Sequence, residues 1–231
     1  MSWEMMAVFI GSTIRLAAPL LLSATGELVS QRAGVLNMSL EGMMLTGAFA
    51  GALLQAFFSI TLKANQIVTG IGINILALGA TTLAYREIFG SRSSEAIPGL
   101  SKWSPPVLRD IPLWGDQVFD QVWLLYLGGL IILLTALVMH RTALGLALHA
   151  CGAEPRAVDK SGLSVARLRY LAVLFSGLMA GLAGCFISIG DIHTFTEGMT
   201  SGAGYLAIAA IIFGNWKLGR MVLACLLFGA A

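Results

Sequence analysis

The chain has 231 residues, of which 57% are hydrophobic and 11% charged, with a formal net charge of +2 and a mean hydropathy of +0.84. An ordinary soluble domain carries about 25% charged residues, so this composition excludes a single water-soluble globule and points to a polytopic membrane protein, whose lipid-facing exterior asks for no charge. So small a net charge gives no reason to expect nucleic acid. Cys151, Cys185 and Cys225 have neither metal-ligand spacing nor the even number of a disulfide framework, and no metal or cofactor is expected. Met1 to Glu4 lacks a basic region and the first apolar run lacks a small-residue cleavage site, so no removed signal peptide is expected.

A hydrocarbon core of about 30 Å takes roughly 20 helical residues to cross. Apolar runs of that order occupy 5–25, 40–62, 66–89, 121–140 and 168–190. The run 203–214 is too short to cross unaided, and Gly214-Asn215-Trp216-Lys217 separates it from a last run over 218–231. That last run is short as well, so it is either re-entrant or continued by further chain. The expectation is an all-α transmembrane bundle of six to seven membrane segments, forming one domain over 1–231. Gly177, Gly181 and Gly184 recur at near-helical spacing, which lets backbones approach closely, either within the chain or against a moving partner helix.

Short cytoplasmic loops collect Lys and Arg. The loop 141–167 and its exit carry Arg141, Arg156, Lys160, Arg167 and Arg169 against Glu154 and Asp159, which places it in the cytoplasm. Alternation then leaves Lys63 inside, 91–120 outside, and Lys217 with Arg220 inside. The outer loop 91–120 has no basic excess; Pro98, Pro105, Pro106, Pro112, Trp103 and Trp114 fit a non-spanning connector lying at the interface.

Polar residues within apolar runs are the candidates for function, because lipid makes them expensive. Between Gly26 and Gly42 the chain places Glu27, Arg32, Asn37 and Glu41 among apolar residues, a pattern suited to backbone turning inside the protein. Glu27 and Arg32 read equally as a structural ion pair. Asn74 lies within the third run, and its amide suits either a substrate pathway or a hydrogen bond to a neighbouring helix. Glu27, Asn37, Glu41 and Asn74 are therefore the pathway candidates. His140, His149 and His193 form no HExxH pair, and no phosphate-binding G-x-x-x-x-G-K-[ST] occurs. Any ATP-driven work must then come from another polypeptide.

Within the basic loop, Gly152 ends one short helix, Pro155 suits the first turn of a second over about 155–161, and Gly162 stops it. Ser164 suits the cap of the helix that returns to the membrane. Such a projecting knob is fitted to a groove on a soluble partner.

Three stretches carry a resemblance to a known family. They are Leu16-Ala17-Ala18-Pro19-Leu20-Leu21-Leu22 with Gly26-Glu27 and Arg32 through Met44, then Gly152-Ala153-Glu154-Pro155-Arg156-Ala157 through Gly162, and finally Thr196 through Trp216. Together they resemble the membrane permease subunit of bacterial ATP-binding-cassette importers, in the simple-sugar and nucleoside permease family that also has branched-chain amino-acid members. The resemblance implies that Gly152, Ala153, Glu154, Pro155, Arg156, Ala157 and Gly162 form the loop inserted into the ATPase, where the family pattern is about G-x-N-P-x-A-A and Glu154 replaces the usual Asn. It also implies a multi-pass protein of the bacterial cell membrane that is itself no enzyme. Its partners would be an ATPase subunit, a second similar permease, an extracytoplasmic substrate-binding lipoprotein and the lipid bilayer, and its cargo a nucleoside or simple sugar. Two departures stand out: one apolar stretch between Gly47 and Lys63 where the family has room for two helices, and an end short of the family's closing helices. A shortened, inactive permease is therefore the alternative, ahead of a self-contained secondary transporter.

Overall fold

The computed structural model describes residues 3–46, 49–89, 98–103, 119–196 and 198–231. Most of the expected outer loop 91–120, including Pro105, Pro106, Pro112 and Trp114, lies outside the described residues. The architecture is all-α. Four helices are long and apolar enough to cross a membrane, at Met5–Arg32, Gln66–Ile88, Trp123–Arg141 and Val165–Ile192, and the remaining apolar helices are shorter.

Helix α1 runs over Trp3–Arg32, 30 residues or about 45 Å of rise. It continues well past the 5–25 run, so Glu27 and Gln31 are helical and irregular backbone is confined to 33–39. The reason lies at Gly34, whose φ of 84° ends the helix by donating Gly34 N–H to Gln31 O (3.0 Å) while Val35 N–H reaches Ser30 O (3.0 Å). This doubled closure needs a left-handed residue, which glycine supplies without strain.

The 40–62 run is not a crossing. It divides into α2 (Leu40–Thr46), α3 (Phe49–Ala56) and a π-helical turn over Phe57–Thr61. A Cβ on Gly51 would lie 3.0 Å from Met43 Cγ and 3.8 Å from Met43 Cα. Eight residues along one helix are about 12 Å apart, so α3 folds back beside α2. Both ends of this hairpin meet one end of the bundle: Leu36 N–H donates to Gln66 Oε1 (2.8 Å), Gln55 Nε2 reaches Leu36 O and Gln66 O (3.4 Å each), and the Thr61 and Tyr170 hydroxyls are 2.6 Å apart. A crossing over 40–62 would have put 33–39 and 62–65 on opposite sides; the hairpin puts them together.

Helix α4 (Gln66–Phe89) is capped by Asn65, whose Oδ1 accepts Ile67 N–H (3.0 Å) and Val68 N–H (3.3 Å). Its exposed Val68, Ile75, Leu83 and Ile88 make a lipid-facing surface. A two-residue antiparallel ladder, β1 (Lys102–Trp103) with β2 (Gln121–Val122), precedes α5 (Trp123–Arg141). Then come α6 (Ala143–Ala153), the short α7 (Pro155–Lys160), and α8 (Val165–Cys185) with its π-helical extension to Ile192. The chain finishes with α9 (Ala203–Phe213) and α10 (Leu218–Ala230). As expected, Pro155 opens α7 and Ser164 caps α8, accepting Arg167 N–H at 3.4 Å. Helix α6 runs one residue beyond Gly152.

The core is the packing of α1 along α8, with α2, α3, α9 and α10 around the pair. At the α1–α8 contact a Cβ on Gly26 would meet Met179 Cβ at 2.7 Å and Ser176 Cα at 2.9 Å. Gly177, Gly181 and Gly184 are buried inside the chain, and a Cβ on Gly184 would collide with the Met44 carbonyl oxygen, so helix packing accounts for these glycines.

The hairpin has a topological consequence. In a cysteine-free background, Trp3→Cys and Lys63→Cys should react with a membrane-impermeant maleimide from opposite sides of the membrane, and Lys63→Cys from the same side as Asp159→Cys. Labelling of Trp3→Cys and Lys63→Cys from one side would restore a crossing over 40–62.

Candidate functional site: a buried polar junction under a basic loop

With no water to solvate them, the polar groups that α1, α2, α4, α8 and α9 bring together must satisfy one another. Glu27 is fully buried. Its Oε1 accepts Gln31 Nε2 and Asn37 N–H, both at 2.9 Å, and its Oε2 accepts the Ser176 hydroxyl at 3.0 Å. Asn37, also fully buried, accepts the Ser39 hydroxyl (2.6 Å) and Ser39 N–H (3.1 Å), and donates to Ser176 Oγ (3.1 Å). The irregular 33–39 segment is therefore fastened to α1 and α8 by Glu27 and Asn37 together.

Glu41 serves α9. Its carboxylate accepts Gly202 N–H and Gly204 N–H at 2.8 Å each and the Thr200 hydroxyl at 2.5 Å. It thus caps, from α2, the positive end of a helix whose own N-cap residue has no side chain. Asn74 joins α4 to both neighbours: Oδ1 accepts Gly42 N–H (2.8 Å), and Nδ2 donates to Met38 O (2.8 Å) and to the Tyr205 hydroxyl (2.7 Å). The four pathway candidates thus converge on one junction, each held by hydrogen bonds to neighbouring elements of the chain.

The Glu27–Arg32 ion pair does not form. Five residues of helix separate them by about 140° around the axis, and Arg32 turns instead to the Trp216 carbonyl, which its Nε reaches at 3.2 Å and its Nη2 also contacts. The Trp216 indole N–H donates to Gln31 Oε1 (2.6 Å), and Gln31 in turn donates to Glu27. Gln31, Ser176, Thr200, Tyr205, Trp216 and Arg169 join these contacts although none of them is a pathway or coupling candidate from the sequence; the helical i, i+4 spacing of Glu27 and Gln31 is the one local signal for them.

The residues expected to form the coupling loop lie together at the end of the bundle that holds Arg32. Gly152, Ala153, Glu154, Arg156, Ala157 and Gly162 are exposed and Pro155 is half-buried, while Val158 is buried and moors α7. The loop is latched to α1 through Arg169, whose Nε donates to Ala33 O (3.2 Å) and whose Nη2 reaches Cys151 O (3.5 Å). Burial pushes the Cys151 thiol up, against the opposing pull of Arg169. A Cβ on Gly152 would strike the Arg32 carbonyl oxygen, so this glycine is what lets α6 touch the end of α1.

A cleft of 460 Å³ between α1, α5, α6 and α8 is lined by apolar side chains and Thr135, whose hydroxyl is taken by Ile131 O at 2.8 Å. It offers nothing to a polar cargo. Among the described residues no group of three His, Cys, Asp or Glu side chains is placed to hold a metal.

Three substitutions separate the packed interior from the loop surface. Glu27→Ala strips the acceptor from the buried Asn37 N–H and Ser176 hydroxyl and from Gln31 and should lower unfolding stability in detergent by about 1–3 kcal/mol, and Gly152→Ala should lower the melting midpoint through its clash. Glu154→Gln, on the exposed loop, should leave that midpoint unchanged. A Glu27→Ala chain as stable as wild type would remove Glu27 from the centre of the junction.

Residues 52–231 match the family described as branched-chain amino acid transport system / permease component. A putative glucose ABC transporter permease of Haloferax volcanii is 34% identical over 96% of this chain and 75% of its own length. A guanosine ABC transporter permease of Bacillus subtilis is 33% identical over 99% and 82%, and a nucleoside ABC transporter permease of Lactococcus lactis 28% identical over 96% and 80%. A second guanosine ABC transporter permease of Bacillus subtilis is 28% identical over 96% and 72%. No solved structure matches. The alignment to the first guanosine permease covers 262 positions against this chain's 231 residues, a shortfall of at least 31 inside the matched region. The polytopic helical fold, the latched basic loop and these matches agree: the chain belongs to the branched-chain amino acid transport system permease family and is a multi-pass membrane permease component of an ABC transporter.

Proposed function

We propose that the chain forms half of the translocation pathway of an importer for a nucleoside or simple sugar, and that separate ATPase subunits drive it through α7. The observation that carries this reading is the construction of 152–162: an exposed short helix, moored at Val158 and tied through Gly152 and Arg169 to the end of α1. Movement imposed on α7 passes to Ala33, and the next polar groups inward are Glu27 and Asn37. In this reading Glu27, Asn37, Glu41 and Asn74 hold the pathway wall rather than touch cargo. The cargo class follows the relatives named for guanosine, nucleosides and glucose. A second, similar permease supplies the other half, as the two guanosine permeases of one organism suggest, and an extracytoplasmic lipoprotein delivers the cargo. Arg32, Lys63, Arg141, Arg156, Lys160, Lys217 and Arg220 gather at the α7 end, which supports a cytoplasmic placement of that end in the bacterial cell membrane. The chain itself does no chemistry.

The shortfall of at least 31 residues favours one other reading, a permease that still docks its ATPase but no longer transports. The family match begins at residue 52, beside the turn of the α2–α3 hairpin. We infer that the missing stretch is the outer half of that hairpin: some 31 residues shared between two arms add about 23 Å to each, enough to turn it into two full crossings.

The two readings part in one experiment. Co-expressed with a candidate ATPase and a companion permease, wild type should capture the ATPase, and Arg156→Glu/Ala157→Arg should lose capture about tenfold. If wild type is folded in the membrane yet captures no ATPase, the importer reading fails. Capture accompanied by uptake of labelled guanosine or glucose supports the importer; capture without uptake selects the shortened, inactive permease.

A further inference from the structure

The turn joining α9 to α10 holds two consecutive non-glycine residues in the left-handed region, Asn215 at φ 50° and Trp216 at φ 53°. A bulky residue there is an outlier that persists only where its surroundings enforce it. Here Arg32 grips the Trp216 carbonyl and Gln31 accepts its indole N–H. The turn thereby forms one wall of an open groove of 510 Å³ whose other wall is Gly152 and Ala153 of the coupling loop, with Arg32, His149 and Lys217 among its lining. Among the described residues the ion pair seen is Lys102 with Asp120, at the far end of the bundle, so neither Arg32 nor Lys217 has a carboxylate of this chain beside it. The lining includes no Leu, Ile or Val, unlike a site built for acyl chains.

We propose that this groove is a second docking surface for the ATPase, taking an acidic side chain of that subunit beside the α7 contact. The proposal rests on the reading that α7 meets an ATPase. Its charge is complementary to a carboxylate, and it is continuous with the α7 surface because Gly152 and Ala153 belong to both. An acid seated there bears on the strained turn, and through Trp216, Gln31 and Glu27 it reaches the buried junction by a route separate from Arg169.

The test uses the full chain co-expressed with ATPase and companion permease, reconstituted in nanodiscs, with retained ATPase as the readout. Lys217 is exposed. Lys217→Glu should lower retention about tenfold, Lys217→Gln should lower it less, and Lys217→Arg should keep it. Arg220→Glu, exposed on α10 but outside the groove, should match wild type. Arg156→Glu runs alongside. If Arg156→Glu loses the ATPase while Lys217→Glu and Lys217→Gln keep it, the groove proposal is overturned and the α7 reading stands; if Arg156→Glu also keeps it, both fall. Equal losses from Lys217→Glu and Arg220→Glu, or a Lys217→Glu loss seen only in nanodiscs containing phosphatidylglycerol, assign the groove to lipid headgroups and overturn the proposal.

Discussion

Glu27 is the residue on which the interior depends. A carboxylate far along a membrane helix is tolerable only if its surroundings supply donors, and here the surroundings are built from the segment that follows it in sequence. Asn37 N–H and Gln31 occupy one oxygen and Ser176 the other. This single group therefore fixes the path of 33–39, the rotation of α1 and the depth of α8 at once. A buried donor stripped of its acceptor pays its full desolvation penalty. The same logic repeats on a smaller scale where Glu41 caps α9 and Asn74 closes the start of α2.

Polar satisfaction of this kind demands close packing, and glycine provides it. Gly26 lets α8 approach α1 near Ser176, Gly42 lies against Asn74, and Gly204 lies against Glu41. Each close approach sits beside one of the buried polar side chains. A methyl group at any of these positions would push apart the backbones that the hydrogen bonds join, so the glycine pattern and the polar network form one device rather than two. Gln55 Oε1 marks where the device stops: it is the buried side-chain oxygen without a partner among the described residues.

The sequence made the all-α membrane class, the basic loop and the limits of α7 readable, because these rest on local signals: apolar run length, charge bias, and Pro155 with Gly162. It also marked four polar residues that the structure brings to one junction, since an amide or carboxylate inside an apolar run stands out. It did not reveal what each one binds. Glu41 and Thr200, or Asn74 and Tyr205, are separated by more than a hundred residues, and no local pattern announces such pairs. The Glu27–Arg32 ion pair was a reasonable expectation from proximity along the chain that helix geometry defeats. The 40–62 run misled for a different reason: apolar length measures whether a segment can cross, while the fold-back beside Met43 is decided by close packing at Gly51 and by Gln55 reaching both Leu36 and Gln66.

Sidedness makes that fold-back consequential. Removing a single helix from a polytopic chain inverts everything on one side of the cut, and a coupling loop facing the wrong side of the membrane could meet no ATPase. A hairpin enters and returns through one face, so its length can change by any amount without altering the side on which the chain emerges. Arg32, Lys63 and Arg156 consequently share one end of this bundle although the chain is shorter than its relatives. A hairpin shortened at its turn leaves untouched the latch between α1 and the basic loop, since Arg169, Ala33, Cys151 and Gly152 all lie at the opposite end of the hairpin arms. The inferred shortening would lie beyond Thr46 and Phe49, away from the end of the bundle that holds Arg32 and Arg156.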